Sequence, residues 1–363
     1  MRRALGCGAA LVLIAVPSPA LAMAPAAPGP GPEPPPAAST ASAAVVASLP
    51  YWYLDTGTGV VLANRSEITE ASPWLYGIAD NGAIVPQYPA AQAGAVAADL
   101  SRLRRAGLPI VPTIANVTGG AFAYQPIAGI LHDVARTSQL ISGIVALANA
   151  NDFTGIDIDY EDLAAGDRAA FTSFAFQLGE ALHAAHRTLS VTVFAKTSDD
   201  GDDPRDVGQD YIGLGQSADE LRVMGYGEHW ESSPPGPVAP VDWVTSVLAY
   251  AVTRVPPAKI VLGVPLYGMD WIGGHGTPIS WARAIGLATA GHVAVTVDQP
   301  SQTPWFRYLD GAGQTHEVWF EDAASSTAKL TAARQAGVGV YLWMYGDADF
   351  GTWAALRNAG RSG

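Results

Sequence analysis

Cysteine is all but missing from this 363-residue chain: there is one, Cys7. It sits in an N-terminal segment that reads as a removable export signal, so the mature chain is expected to have neither a disulfide nor a thiol nucleophile. Charge is also sparse, at 15% of residues, and basic charge sparser still, with 20 Lys and Arg against 33 Asp and Glu. A chain this acidic repels phosphate backbones, which argues against nucleic acid as a partner. Past the N-terminal segment no apolar run approaches the roughly 20 residues of a membrane span. A Gly-x-Ser-x-Gly elbow, a P-loop and a dinucleotide fingerprint are all lacking. The Gly-rich stretch Trp271–Gly276 has no strand-to-helix spacing for phosphate and reads as a loop at a barrel mouth. Among seven histidines the one close pair, His183 and His186, lacks companions that would complete a zinc set and reads as surface. No metal or cofactor is expected.

What is present begins with Arg2 and Arg3, an apolar run from Ala4 to Val16, and Pro17 and Pro19 ahead of Ala20-Leu21-Ala22. That order of charge, apolar core and small residues is a secretory signal, with cleavage expected after Ala22. Its removal leaves 18 basic side chains against 33 acidic ones, a net charge of −15. Residues 23–42 are nearly all Pro, Ala, Gly and Ser, cannot form a packed face, and read as a linker. The mature protein is expected to be secreted, whether extracellular, periplasmic or wall-associated, and monomeric.

From residue 43 on, short Val- and Ile-rich runs alternate with helical patterns. Strands are expected near Val45–Trp52, Trp74–Ile78, Pro109–Ile114, Gly155–Glu161, Leu189–Ala195, Glu220–Tyr226, Ile260–Leu266 and Gly337–Trp343. Helices are expected near Ala90–Ala106, Thr137–Asn151, Asp167–His186 and Val241–Val255, with a short one at Tyr211–Ser217. Eight strands with intervening helices predict a (β/α)8 TIM barrel over residues 43–363. The stretch from about 272 to 336 is too long for an ordinary connection, and Trp305–Leu309 and Thr315–Phe320 flank a turn at Asp310-Gly311. A small α+β insertion between strands 7 and 8 is expected there.

In Phe153–Leu163, FTGIDIDYEDL, the acids Asp157, Asp159 and Glu161 take every second position of an apolar strand, so all three share one face. Glu161 falls at the C-terminal end, where barrel enzymes keep their chemistry. Burying three acids without partners or purpose costs several kcal/mol. A solvated edge strand does not suit Ile156, Ile158 and Leu163. Asp-x-Asp can bind a divalent cation, but the strand brings no fixed set of further ligands.

Neighbouring carboxylates about 6.6 Å apart along a strand repel, and one of them then holds a proton near neutral pH. Glu161 is the candidate general acid. A retaining glycosidase normally needs an opposed carboxylate nucleophile, and no such partner is evident here. The substrate can supply it: a 2-acetamido oxygen would attack the anomeric carbon while Glu161 protonates the leaving oxygen and Asp159 orients the acetamido nitrogen.

This segment resembles the catalytic signature of glycoside hydrolase family 18, Asp-x-x-Asp-x-Asp-x-Glu, carried here by Thr154, Asp157, Asp159 and Glu161. Other pieces are similar in the same order: Leu49–Trp52, Met224 with Tyr226, Val261–Trp271, and the eighth strand with Trp343. The likeness covers about residues 43–358 and is strongest to the bacterial branch with spore-cortex and wall-associated N-acetylglucosaminidases. It implies that Tyr226 bonds the acetamido carbonyl and Trp343 floors the sugar pocket, with Met224, Tyr51, Asn116, Tyr267 and Trp271 as further substrate-binding residues. Aromatic residues fill cores as readily as they bind sugars, which leaves Tyr267 and Trp271 evenly balanced.

Two positions depart from the family pattern. Thr154 stands where the first acid would help orient Asp157, and Gly227 follows Tyr226 where the family has Asp, leaving Glu228 on the opposite face if the strand continues. Lys196, ending the fifth strand, reads equally as a cleft residue or a solvated strand end. The expected activity is metal-independent hydrolysis of β-linked N-acetylhexosamine glycans, either chitin oligosaccharides or peptidoglycan. The rival is a barrel that binds such glycans without cutting them.

Overall fold

The computed structural model describes residues 43–201, 203–344, 348–349 and 351–360. The export signal and linker expected at 1–22 and 23–42 lie outside the described residues.

Eight parallel strands form the frame: Val45–Pro50, Glu70–Ile78, Thr113–Ala115, Gly155–Asp159, Thr188–Phe194, Glu220–Met224, Ile260–Pro265 and Gly339–Trp343. They are called strands 1 to 8 below. Each pairs with the next, and strand 1 pairs with both strand 2 (Val46 opposite Glu70) and strand 8 (Val45 opposite Val340), so the sheet closes on itself. The result is the expected (β/α)8 barrel. Closure buries both faces, which is why a strand such as Ile260–Pro265 is buried at every position.

Outward side chains meet the helices. Tyr160, for example, packs on Phe171 and Phe174 of the helix Arg168–Ala184. Inward positions are unusually polar, with Ser48, Ser72, Thr113, Asp157, Ser190, Thr192 and Arg222 all buried.

Strand ends differ from expectation for local reasons. Pro109 and Pro112 have no N–H to offer, so the third strand's ladder begins at Thr113 and only an isolated bridge joins Ala71 to Ile110. Strand 1 stops at Pro50 and turns into a 3-10 helix, Tyr51–Tyr53. Strands 4 and 6 stop at Asp159 and Met224, two residues short, so Glu161 and Tyr226 project from the loops just beyond. The helix expected from Thr137 starts at Val134, because the Asp133 side chain accepts from the N–H groups of Ala135 and Arg136.

Between strands 7 and 8 lies a five-stranded antiparallel sheet whose strands run from Gly268–Ile272 to Thr315–Trp319. It packs with the helix Trp281–Ala290 around Ile279, Phe306, Val318 and Phe320. The helix that follows, Ala323–Ala336, lies against strands 7 and 8 and the helix Val241–Ala251, within the barrel's own helical layer.

Candidate active site

The acids of strand 4 point into the barrel axis, and each is held differently. Asp157, 2% exposed, accepts hydrogen bonds from Thr113 Oγ1 (2.9 Å), Ser190 Oγ (2.9 Å) and Thr192 Oγ1 (3.1 and 3.2 Å), with Arg222 Nη1 at 3.7 Å. Those partners come from strands 3, 5 and 6, so barrel closure creates the cradle.

Asp159, two residues on, accepts among the described residues only from the Trp74 indole, at 3.3 Å on Oδ2. Its buried Oδ1 has no partner among the described residues. Burial and then the charge of Asp157 raise its carboxyl from 3.8 to about 7, while the indole N–H pulls the other way.

Glu161 is positioned through its backbone. Asn116, just past strand 3, accepts from Glu161 N and donates to Glu161 O, both at 2.8 Å, supplying bonds that the strand ladder no longer provides. The Glu161 carboxyl is raised well above its ordinary range by burial, then by Asp159 and Asp162, with Arg205 opposing. This is a carboxylic acid placed to keep its proton.

Above these acids, Tyr226 donates to or accepts from the Tyr341 hydroxyl at 2.9 Å. The pair needs Gly263 on strand 7: a Cβ there would come within 2.7 Å of Tyr341 and 2.8 Å of Tyr226. Tyr51, Trp52 and Trp74 form an aromatic corner, with ring centres 4.9–6.4 Å apart.

Of the residues singled out from the sequence, Asp157, Asp159, Glu161, Met224, Tyr226, Tyr51 and Trp343 line one cavity of about 290 Å³. Asn116 does not line it; its side chain is spent on the Glu161 backbone and the Ala123 carbonyl. Tyr267 stands edge-on to Tyr226 at 6.4 Å, outside the lining. Trp271 is 2% exposed and packed with Val238 and Met269, a core residue of the inserted sheet itself.

A second cavity, about 390 Å³, opens on the other side of Glu161 and is lined by Phe194, Arg205, Glu228 and Trp230. Glu161, Met224 and Tyr226 belong to both cavities.

Thr154 is exposed at the bottom of the barrel, where its hydroxyl accepts from Ile110 N, and Asp157 takes its orientation from the hydroxyls above. The strand does not continue to Glu228. Gly227 has φ +91°, and it and Glu228 both donate to Val238 O, so the chain turns and Glu228 lines the second cavity beside Glu161. Lys196 is fully buried and donates to the carbonyls of Asp206 and Gln209, so it is neither a cleft residue nor a solvated end.

Sequence reading missed Trp74, Thr113, Ser190, Thr192, Arg222 and Tyr341. A signal existed for some of them: Ser190 and Thr192, and Arg222 with Met224, are polar or long side chains at alternating inward positions of otherwise apolar strands. Trp74 and Tyr341 carry no such mark.

Residues 74–349 match the profile of glycosyl hydrolases family 18. A cortical fragment-lytic enzyme of Bacillus anthracis is 33% identical over 64% of this chain and 56% of its own length. The chain spans about six tenths of the length of the curated relatives it matches. A chitinase from Chromobacterium violaceum superposes with a TM-score of 0.82 at 30% identity, over 89% of this chain and all of that one. The Bacillus cereus spore cortex-lytic enzyme SleL gives 0.78 at 27% identity, over 87% of this chain and 74% of its own. With its acidic fourth strand at the centre of a closed barrel and a profile match over more than half its length, the chain belongs to glycosyl hydrolases family 18.

Proposed function

We propose that the protein hydrolyses β-linked N-acetylhexosamine glycans, chitin oligosaccharides or peptidoglycan, by substrate-assisted catalysis with retention at the anomeric carbon. The observation that carries this reading is the place of Glu161: a carboxyl with a strongly raised pKa, standing between two cavities that meet at its side chain. A glycosidic oxygen lying between sugars in those cavities would be within reach of its proton.

In the first cavity the sugar's 2-acetamido group would turn toward Asp159 and Tyr226. The acetamido N–H would donate to Asp159 Oδ1, the oxygen without a partner, and the Tyr226 hydroxyl would donate to the carbonyl. The carbonyl oxygen then closes on the anomeric carbon as Glu161 gives its proton to the departing oxygen. Water opens the oxazolinium ring with Glu161 now acting as base, which returns its proton and retains configuration. Trp343 would lie under the sugar ring. Names of relatives point the same way, to chitin for one and spore cortex for others. Export, expected from residues 1–22, would put the activity where wall glycans are.

The test is product analysis on chitin oligosaccharides beside purified peptidoglycan, with wild type and Glu161→Gln. The reading expects new reducing ends from wild type on at least one glycan, and a loss of about 10²–10⁴ in rate in the variant. Tight retention of oligosaccharide by wild type with no new reducing ends would replace the hydrolase with a glycan-binding barrel, a reading that Gly227 favours.

A further inference from the structure

Below Asp157 a charged network crosses the barrel, and the proposed reaction makes no use of it. Arg222, inward on strand 6 and 2% exposed, reaches three acids on three strands. Its Nη1 donates to Ser72 Oγ at 2.7 Å and lies 3.7 Å from Asp157 Oδ1. Its Nη2 donates to Glu220 Oε2 at 3.1 Å and to Glu70 Oε1, and Nε adds a bond to Glu220 at 3.3 Å.

We propose that Arg222 is a positioning residue: it is the fixed counter-charge that faces Asp157 on the barrel axis and holds negative charge there, so that Asp159 keeps its proton. The inference rests on the reading of Asp159 and Glu161 given above.

The hydroxyls of Thr113, Ser190 and Thr192 orient Asp157 but bring no charge, and a buried carboxylate without a cation gives up its charge. Arg222 is the cation the structure sets against it. Only a guanidinium fork serves the geometry, because one ammonium cannot face Ser72, Asp157, Glu70 and Glu220 together. With Asp157 charged, a second charge on Asp159 is disfavoured.

The titratable groups facing Arg222 are Glu70 from strand 2, Asp157 from strand 4, Glu220 from its own strand and the Tyr341 phenol from strand 8. Burial raises the Glu70 carboxyl to about 8, with Arg222 pulling the other way.

The experiment is a titration of the substrate-free full chain, carrying ¹³C-labelled aspartate carboxyls, followed by NMR. In wild type Asp159 is expected to titrate near pH 7. In Arg222→Gln both steps of the Asp157–Asp159 pair should move up by about one pH unit or more, a tenfold or greater change in proton affinity. Arg222→Lys should restore part of the shift. Because Arg222→Gln alone strands Glu70, the Glu70→Gln/Arg222→Gln double variant is measured as well, with the same shift expected.

Unmoved midpoints in either variant, with the wild-type spectrum otherwise kept, would overturn the proposal and leave Arg222 a merely structural ion pair. The limbs of the pH–rate profile should follow the titration. A wild type without glycosidase activity would undo the functional reading, whereas the titration would still decide the role of Arg222.

Discussion

Asp157 and Asp159 are the same residue type two positions apart, and their surroundings set them to different tasks. Asp157 is saturated with donors, whereas Asp159 has one weak donor, an oxygen without a partner and a carboxyl raised to about 7. A carboxyl whose pKa is higher folded than unfolded stabilises the fold where it is protonated. That contribution is complete below the ordinary value of 3.8 and is lost as pH rises through about 7. Asp159→Asn removes the ionisation and keeps the shape. The variant should therefore match wild type in stability near pH 4 and exceed it at pH 8 by up to about 4 kcal/mol, read from denaturant unfolding at the two pH values. The same change should lower kcat, because the amide cannot give up a proton and so cannot become the carboxylate that offsets the oxazolinium charge. The acid row itself was legible from alternation along Gly155–Glu161. The unequal holding was not, because Trp74, Thr113, Ser190 and Thr192 reach it from strands distant in sequence.

At the scale of elements, the ends of strands decide where the chemistry sits. Alternation in the sequence runs on to Glu161 and Tyr226, but the ladder stops at Asp159 and Met224. Side-chain period does not disclose where backbone pairing ends, which is why Glu161 reads as a strand residue until the Asn116 clamp is seen. Asn116→Ala removes both bonds to the Glu161 backbone. It should cost roughly 1–3 kcal/mol of stability. Displacement of the acid by about 1 Å should lower kcat by about a hundredfold, measured on an oligosaccharide with KM determined alongside. Gly263 makes a parallel case on strand 7. Gly263→Ala would press on both Tyr341 and Tyr226 and should reduce activity with the barrel's circular dichroism retained.

For the whole molecule, eight apolar runs and their helices were enough to indicate a closed barrel, and the long segment before strand 8 marked the added sheet. Which side chains meet across the axis could not be read that way. Arg222, Glu70 and Asp157 come together only because closure fixes the stagger of strands 2, 4 and 6. Trp271 shows the same limit for the inserted sheet, since its aromatic character suits a sugar platform but its place is a packed core with Met269 and Val238. Trp271→Ala should therefore destabilise the protein by about 3–5 kcal/mol in a single thermal transition, with KM for short oligosaccharides little changed.

The most direct test of the proposed chemistry compares two leaving groups on one N-acetylglucosaminyl donor: a sugar, which needs a proton to depart, and dinitrophenolate, which does not. If Glu161 is the acid, Glu161→Gln should lose about 10²–10⁴ in kcat/KM on the oligosaccharide and at least tenfold less on the dinitrophenyl glycoside. Equal losses on both substrates, or an unimpaired variant, would contradict it.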